Sequence, residues 1–305
     1  MKIKSIGYAT LLALTTAVIS GASNFLNKIA VSSVKDPIVY TTLKNFVVAI
    51  LLFGLILALN KKTEIASLTK NQIYKLFAIG AIGGSLPFAL FFTGLKQTSA
   101  LNASLIHKTL VLWVILLAVP ILKERIAAWQ WVGICAVFGA NLLIGGFTDF
   151  KFNPGELMIL AATILWAIEN VIAKTALKDI SSITVAAARM IIGSSLLLLF
   201  ILARGGGSAV FNLNSVQWGW TLLASLLLAG YVIAWYEALK YAPAIYVATL
   251  LVPATLVTNV LSSVFITHAF SYEQFLSSAL FVTGSALMIY FSKTPQNRLS
   301  WNWTG

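Results

Sequence analysis

Long apolar runs separated by short polar stretches dominate the chain. A helix that crosses a bilayer needs about 20 mostly apolar residues, and the pattern contains ten runs of that kind. The predicted spans are residues 5–31, 37–59, 74–95, 99–121, 127–147, 155–177, 182–203, 217–239, 244–267 and 272–292. The loops between them are too short to form a soluble domain. The pattern therefore predicts an all-α integral membrane protein with ten transmembrane helices.

Composition narrows the classes of function. Hydrophobic residues make up 59% of the chain and charged residues 10%, so lipid must solvate much of the apolar surface. The net charge of +12 would suit nucleic acid, but most cations lie in short loops, as in membrane proteins that face anionic lipid. We expect the bilayer as a partner and no nucleic acid. A single cysteine, Cys135, excludes an intramolecular disulfide, and no metal or cofactor site is expected.

The distribution of Lys and Arg predicts the orientation. With the N-terminus in the cytoplasm, twelve of these residues fall in cytoplasmic loops or termini and four on the opposite side. The apolar run after Lys4 continues to Val31, so we expect an uncleaved first helix rather than a signal peptide. The chain is thus predicted to lie in the inner or plasma membrane, multi-pass, with both termini cytoplasmic.

The two halves of the chain repeat a set of residues in the same order. The corresponding pairs are Asn24 and Asn170, Lys28 and Lys174, Lys44 and Arg189, Gly94 and Ala238, and Gly139 and Gly284. Five predicted helices separate the copies, and because five is odd the second copy must enter the membrane from the opposite side. We expect two inverted-topology five-helix repeats, residues 1–149 and 150–292, followed by a cytoplasmic polar tail at 293–305.

Three motifs carry a resemblance to a known family. They are Ala-Leu-Lys-Tyr-Ala-Pro-Ala at 238–244 with a weaker copy at 94–100, Pro253 in the ninth span, and Leu-Lys-Glu-Arg at 122–125 followed by Gly133 and Gly139. In these motifs the chain resembles the EamA-type branch of the drug/metabolite transporter superfamily. The resemblance implies two tandem five-helix units and transport of a metabolite; many relatives export amino acids or related compounds, and others import.

The chain departs from the family pattern at several positions. Thr109 stands where the second unit has Pro253, and His268 occupies the place that matches Glu124. The pair His107-Lys108 is unusual for the family. The motifs therefore indicate fold and broad role, and leave the cargo open.

Charged residues inside the predicted spans are the first candidates for a site, because charge at bilayer depth is costly. Lys44 and Arg189 occupy equivalent places in the two halves, and we expect both to line a central cavity and bind an anionic group; the alternative is a packing role. Lys28 and Lys174 lie near helix ends and are expected to reach the headgroups. His107 and Lys108 point about 100° apart on a helix, so one can line the cavity while the other contacts a neighbouring helix.

Acidic, amide and aromatic residues complete the candidate set. Glu169 and Glu237 are the acids within the spans that could carry a proton during transport, although Glu237 also suits a solvated helix end. Trp166 shares a helix face with Glu169, and Tyr231 shares one with Trp235. Asn24 and Asn170 complete the candidate substrate pathway, with the alternative that the aromatic residues face lipid.

These features favour a secondary transporter that moves a small metabolite by alternating access, with export of an amino acid or other organic acid as the leading hypothesis. Uptake, or a multidrug-type carrier of a cationic or aromatic compound, is the alternative. A channel is disfavoured because no filter motif is present. An intramembrane enzyme is disfavoured because no catalytic pattern is present. A homodimer remains open.

Overall fold

The computed structural model describes residues 6–34, 36–145 and 153–292, and these residues form an all-helical bundle. The predicted tail at 293–305, the cations before Ile6 and the predicted boundary between 149 and 150 lie outside the described residues. The helices of the first half are α1 (Ile6–Ser33), α2 (Pro37–Ala58), α3 (Lys62–Ala66), α4 (Lys70–Ala78), α5 (Leu86–Gln97), α6 (Ala100–Lys108), α7 (Leu110–Leu122) and α8 (Ala128–Gly145). Those of the second half are α9 (Pro154–Ala176), α10 (Ser182–Ala203), α11 (Gly207–Phe211), α12 (Ser215–Tyr241), α13 (Ala244–Leu251), α14 (Ala254–Ser262) and α15 (Tyr272–Ser292).

Nine helical stretches in the described part of the chain are long and apolar enough to cross a membrane. They are Ile6–Ser33, Pro37–Ala58, Lys70–Gln97, Asn102–Leu122, Pro154–Ala176, Ser182–Ala203, Ser215–Tyr241, Ala244–Ile266 and Tyr272–Ser292. Each corresponds to one predicted span. The fifth predicted span, 127–147, corresponds to α8, whose apolar stretch is shorter. An integral membrane fold is thereby supported, while the tenth crossing stays a prediction.

Side-chain caps fix where several helices begin. Asp36 accepts hydrogen bonds from the N–H groups of Ile38 and Val39, with Pro37 at the first position of α2. Asn153 forms a capping box with Glu156 at the start of α9. Such caps satisfy N–H groups that have no partner within the helix, which sharpens the helix boundaries at the ends of the bundle.

A π-helical segment, Ile79–Ser85, joins α4 to α5 in the third membrane span. Its position coincides with a change in the spacing of the predicted repeat. Lys44 and Arg189 are 145 positions apart, whereas Gly94 and Ala238, which follow the segment, are 144 apart. A π-turn holds one more residue than an α-turn. One extra residue in the first half accounts for the shift.

A second π-helical segment, Ser263–Thr267, follows α14 and adds one residue to the second half. The matched positions after it are again 145 apart. His268 ends that segment with a left-handed backbone (φ 50°), and Lys123 ends α7 in the same way (φ 55°). These two residues are 145 positions apart. The backbone thus pairs His268 with Lys123 and corrects the predicted pairing of His268 with Glu124.

The helices are arranged around a central polar region. The most extensive helix contacts are α8 with α15, α1 with α12, α5 with α9 and α2 with α10, and each of these pairs joins one helix from either half. The pair α8 and α15 packs closely at Gly133 and Gly284, because a Cβ added to Gly133 would lie 2.8 Å from the Gly284 carbonyl oxygen. The polar side chains at the centre of the bundle come from α1, α2, α6, α9, α10 and α12.

Candidate functional site

A cavity lies at the centre of the bundle, between the helices of the two halves. Its empty space, including the part that opens outwards, is about 700 Å³. The residues that line it are Ser20, Ser23, Asn24, Asn27, Lys44, Phe88, Phe91, Phe92, His107, Leu110, Trp166, Glu169, Asn170, Arg189, Ala224, Leu228, Tyr231 and Trp235. A concave site lined by aromatic rings and a few converging polar groups is typical of small-molecule sites.

Most of the candidates predicted from sequence meet at this cavity. Those that line it are Asn24, Lys44, His107, Trp166, Glu169, Asn170, Arg189, Tyr231 and Trp235. Lys108 does not line it: this lysine is buried and its Nζ lies 3.3 Å from the Ser20 hydroxyl on α1. Glu237 also lies elsewhere, where it accepts hydrogen bonds from Tyr8 and Ser182. A role for any of these residues in transport stays a prediction.

Lys44 is buried on α2 among aromatic rings. Its Nζ lies 3.7 Å from the centre of the Phe92 ring and 3.4 Å from Asn27 Oδ1. The Asn27 oxygen also accepts a hydrogen bond of 2.5 Å from Tyr40. Rings stabilise a desolvated ammonium group but carry no net charge. The charge of Lys44 is therefore held at the cavity wall without a carboxylate partner among the described residues.

Arg189 lies at the equivalent place on α10. Its Nη2 donates to the Gly83 carbonyl oxygen of the first π-helical segment at 3.1 Å. Its guanidinium carbon lies 5.8 Å from the centre of the Tyr236 ring. Tyr236 donates in turn to Glu169 Oε1 at 2.5 Å. Within the described chain Arg189 has no ion pair within 4.0 Å, and its Nε is buried without a hydrogen-bond partner.

Aromatic side chains cover two sides of the cavity. Trp166 packs against Phe88 and Phe91, with ring centres 5.4 Å apart in both pairs, and its Nε1 donates to the Gly83 oxygen. Tyr231 and Trp235 stack on the other side with ring planes 7° apart. These aromatic residues therefore line the cavity, and the alternative that they face lipid does not hold for them.

Several polar atoms of the cavity wall are buried and have no hydrogen-bond partner among the described residues. They are Ser23 Oγ, Asn24 Nδ2, His107 Nδ1 and Arg189 Nε. Buried polar atoms are costly to leave unpaired. Water or a bound polar molecule would satisfy them, which fits a ligand site.

Lys28 and Lys174 each donate to carbonyl groups at the end of a neighbouring helix, and their contact with the headgroups stays a prediction. Lys28 donates to the carbonyl oxygens of Leu95 and Thr98 at 2.9 and 2.8 Å. Lys174 donates to those of Leu239 and Ala242 at 2.6 and 2.7 Å. Because α5 and α12 end there, their last carbonyl groups lack partners within the helix, and a lysine satisfies them better than solvent at that depth.

Sequence reasoning missed Asn27 and the three phenylalanines of α5. Phe88, Phe91 and Phe92 are spaced three and four residues apart, so a single face of a helix presents all three. That spacing was visible, but it is equally typical of lipid-facing residues. Asn27 occupies one of the variable positions between Asn24 and Lys28, and nothing in the sequence places it beside Lys44.

Comparison with known proteins agrees with the fold. The chain matches the EamA-like transporter family over residues 7–146 and 153–290. An uncharacterized transporter of Methanothermobacter thermautotrophicus is 24% identical over 94% of this chain and 87% of its own length. The uncharacterized transporter YetK of Bacillus subtilis is also 24% identical, over 96% of this chain and 89% of its own.

A crystal structure of a protein with 18% identity superimposes with a TM-score of 0.75 over 95% of this chain and 100% of that one, a similarity that concerns the fold alone. The resemblance derived from the sequence motifs is confirmed by the family match in both halves of the chain. The chain belongs to the EamA-like transporter family, as a multi-pass membrane protein with a role in transport.

Proposed function

We propose that this protein is a secondary transporter that moves a small metabolite with an anionic group across the inner or plasma membrane by alternating access. The observation that carries the proposal is the central cavity with two buried cations, Lys44 and Arg189, that have no carboxylate partner within 4.0 Å among the described residues. Buried charges without partners are strongly unfavourable. A bound anion would supply the partner, and an amino acid or other organic acid fits this requirement.

Ten crossings and two inverted repeats form part of the proposal. Contacts at one end of the bundle join only loops that the charge count assigns to the cytoplasm. They are Glu64 with the Ser181 N–H (2.7 Å), Lys240 with the Ile180 oxygen (3.1 Å) and Glu124 with the N–H groups of Ala244 and Ile245 (2.6 and 3.0 Å). This grouping supports an alternating path of the chain with the N-terminus in the cytoplasm.

Contacts at the opposite end join the remaining loops. Arg204 pairs with Asp36, Gln217 donates to the Ser33 oxygen at 2.8 Å, and Asn102 donates to Glu156 at 2.9 Å. Polar contacts thus join neighbouring helices at each end of the bundle, and most of them cross between the two units. Rocking of the two units would break those at one end and leave those at the other, which is the motion that alternating access requires.

Glu169 is our candidate for coupling transport to protons. It is the carboxylate of the cavity wall in the described chain, and it shares Gly83 as a neighbour with Arg189. Binding and release of a proton there would change the charge that the cargo meets. Glu237 is a weaker candidate because it lies outside the cavity.

Transport is tested by comparing the culture medium of cells that express the protein, an Arg189→Ala variant or neither. Untargeted mass spectrometry lists the extracellular metabolites. We expect an anionic or zwitterionic compound to accumulate with the parent protein, and the Arg189→Ala variant to lose about tenfold or more of that effect, because a charged hydrogen bond to the cargo is lost.

The matched control is Arg125→Ala, which removes an exposed arginine of the loop after α7, away from the cavity. Both variants are compared at equal abundance in the membrane. Equal accumulation by parent and Arg189→Ala would refute the site. No change in the medium with the parent would count against export, and uptake into liposomes would then decide between import and no transport. Saturable flux against a gradient separates a carrier from a channel.

A further inference from the structure

Resting on the proposed function, we infer that the cargo is a dianion, and that Lys44 and Arg189 each bind one of its negative charges. Both cations face the same aromatic ring of the cavity. The Lys44 Nζ lies 5.6 Å from the centre of the Phe88 ring, and the Arg189 guanidinium carbon lies 5.5 Å from it. One small molecule that lies against Phe88 reaches both.

The formal charges around the cavity support two negative charges rather than one. Lys44 and Arg189 line the cavity, and Lys108 stands directly behind it, bonded to the Ser20 hydroxyl of its wall. Against these three cations, Glu169 is the one carboxylate that lines the cavity in the described chain. The formal surplus is two positive charges, and a dianion cancels it.

The remaining donors of Arg189 point to the same class of ligand. Its Nη2 is held by the Gly83 oxygen, while its Nε is buried without a partner in the described chain. Arginine binds carboxylate and phosphate groups through two parallel N–H donors. Asn24 Nδ2 is a further unpaired donor on the wall. These groups fit oxygen acceptors and offer little to a second ammonium group.

Two kinds of dianion share this chemistry. A short dicarboxylate would place one carboxylate near each cation, with its uncharged middle against Phe88. A phosphate monoester carries about two charges on one group, which both cations would approach together. The experiment below separates these two sources.

The test measures binding to the purified full-length protein in detergent, from the shift of its thermal unfolding midpoint. The probes are matched pairs at constant ionic strength: butanedioate with butanoate, pentanedioate with pentanoate, and glycerol 3-phosphate with glycerate. We expect at least one dianion to bind about tenfold or more tightly than its monoanionic partner. A preference within the dicarboxylate pairs indicates a cargo with one charge at each end. A preference for the phosphate ester indicates a cargo with both charges on one group.

Variants make the test specific to the two cations. Lys44→Gln and Arg189→Gln are each expected to lower the ratio of dianion to monoanion affinity about tenfold, whereas Glu169→Gln is expected to raise it. Lys28→Gln is the matched control, because this lysine binds the carbonyl oxygens of Leu95 and Thr98 outside the cavity and should leave the ratio unchanged.

The inference is overturned if no dianion binds more tightly than its monoanion, or if none of the probes binds. Accumulation of a monoanionic or zwitterionic compound in the medium would also overturn it, and the proposed transport of a metabolite with an anionic group would then stand. Absence of transport in cells and in liposomes would remove the proposed function itself.

Discussion

Gly83 packs tightly against two charged side chains of the cavity wall, those of Glu169 and Arg189. A Cβ added there would lie 2.3 Å from Glu169 Cγ and 3.2 Å from Arg189 Nε. We predict that Gly83→Ala forces both charged side chains out of place and costs about 1–3 kcal/mol of stability, as overpacking generally does. Transport should fall with it. Thermal unfolding in detergent and the metabolite assay measure the two effects.

Gly54→Ala is the control for that change. Gly54 also lies within a membrane helix, but a Cβ added there meets no atom within 4 Å. Its stability should stay the same or rise slightly, because alanine favours the helix. If Gly83→Ala were as harmless as Gly54→Ala, the close packing of Glu169 and Arg189 against Gly83 would be wrong.

At the scale of residues, the sequence predicted which charged side chains lie at the cavity better than it predicted the groups that they contact. Lys44 and Arg189 were recognisable because charge within an apolar run demands a polar environment. The rings that surround Lys44 were not, since Phe92 looks the same whether it faces lipid or a cation. Lys108 illustrates the limit: its neighbour His107 lines the cavity, and only the packing of α1 decides that Lys108 meets Ser20 instead.

At the scale of helices, two lysines hold the ends of α5 and α12. Lys174 provides the sole side-chain donor that the described residues offer to the carbonyl oxygens of Leu239 and Ala242. We predict that Lys174→Met, which keeps most of the apolar stem, lowers stability by about 1–3 kcal/mol, because two buried acceptors lose a charged donor. The thermal unfolding midpoint of the purified protein provides the measurement.

Lys178→Met serves as the control, since Lys178 is exposed a turn further along the chain. Its midpoint should change little, as for most surface substitutions. A loss of stability as large as that of Lys174→Met would show that charge near this helix end, rather than the two hydrogen bonds, stabilises the fold.

Helix positions were largely predictable, because a run of apolar residues between polar loops leaves few alternatives in a bilayer. Breaks within the spans were not. The third span contains a π-helical segment, Ile79–Ser85, and the fourth divides into α6 and α7 at Thr109. The apolar pattern is blind to such breaks, because lipid accepts the same residues in either backbone form. The Gly83 carbonyl oxygen of that π-helical segment is nonetheless the acceptor for both Arg189 and Trp166.

At the scale of the whole molecule, the proposed alternating access requires that one cavity is reached from both sides of the membrane in turn. The sequence predicts an inverted repeat from ordered pairs of residues. The sequence could not show that these pairs meet, since the contact of α1 with α12 and of α2 with α10 depends on how the two halves pack. Lys44 and Arg189 come from different halves, so the site requires both.

Access to the cavity tests this claim most directly. Ser23 lines the cavity, and the exposed Cys135 is the lone cysteine, so a Ser23→Cys, Cys135→Ser protein carries one thiol at the site. A membrane-impermeant maleimide is applied to intact cells and, separately, to inside-out vesicles. Alternating access predicts that the maleimide labels the Ser23→Cys thiol from both sides. Labelling from one side only, or from neither, would contradict a cavity that alternates between the two faces of the membrane.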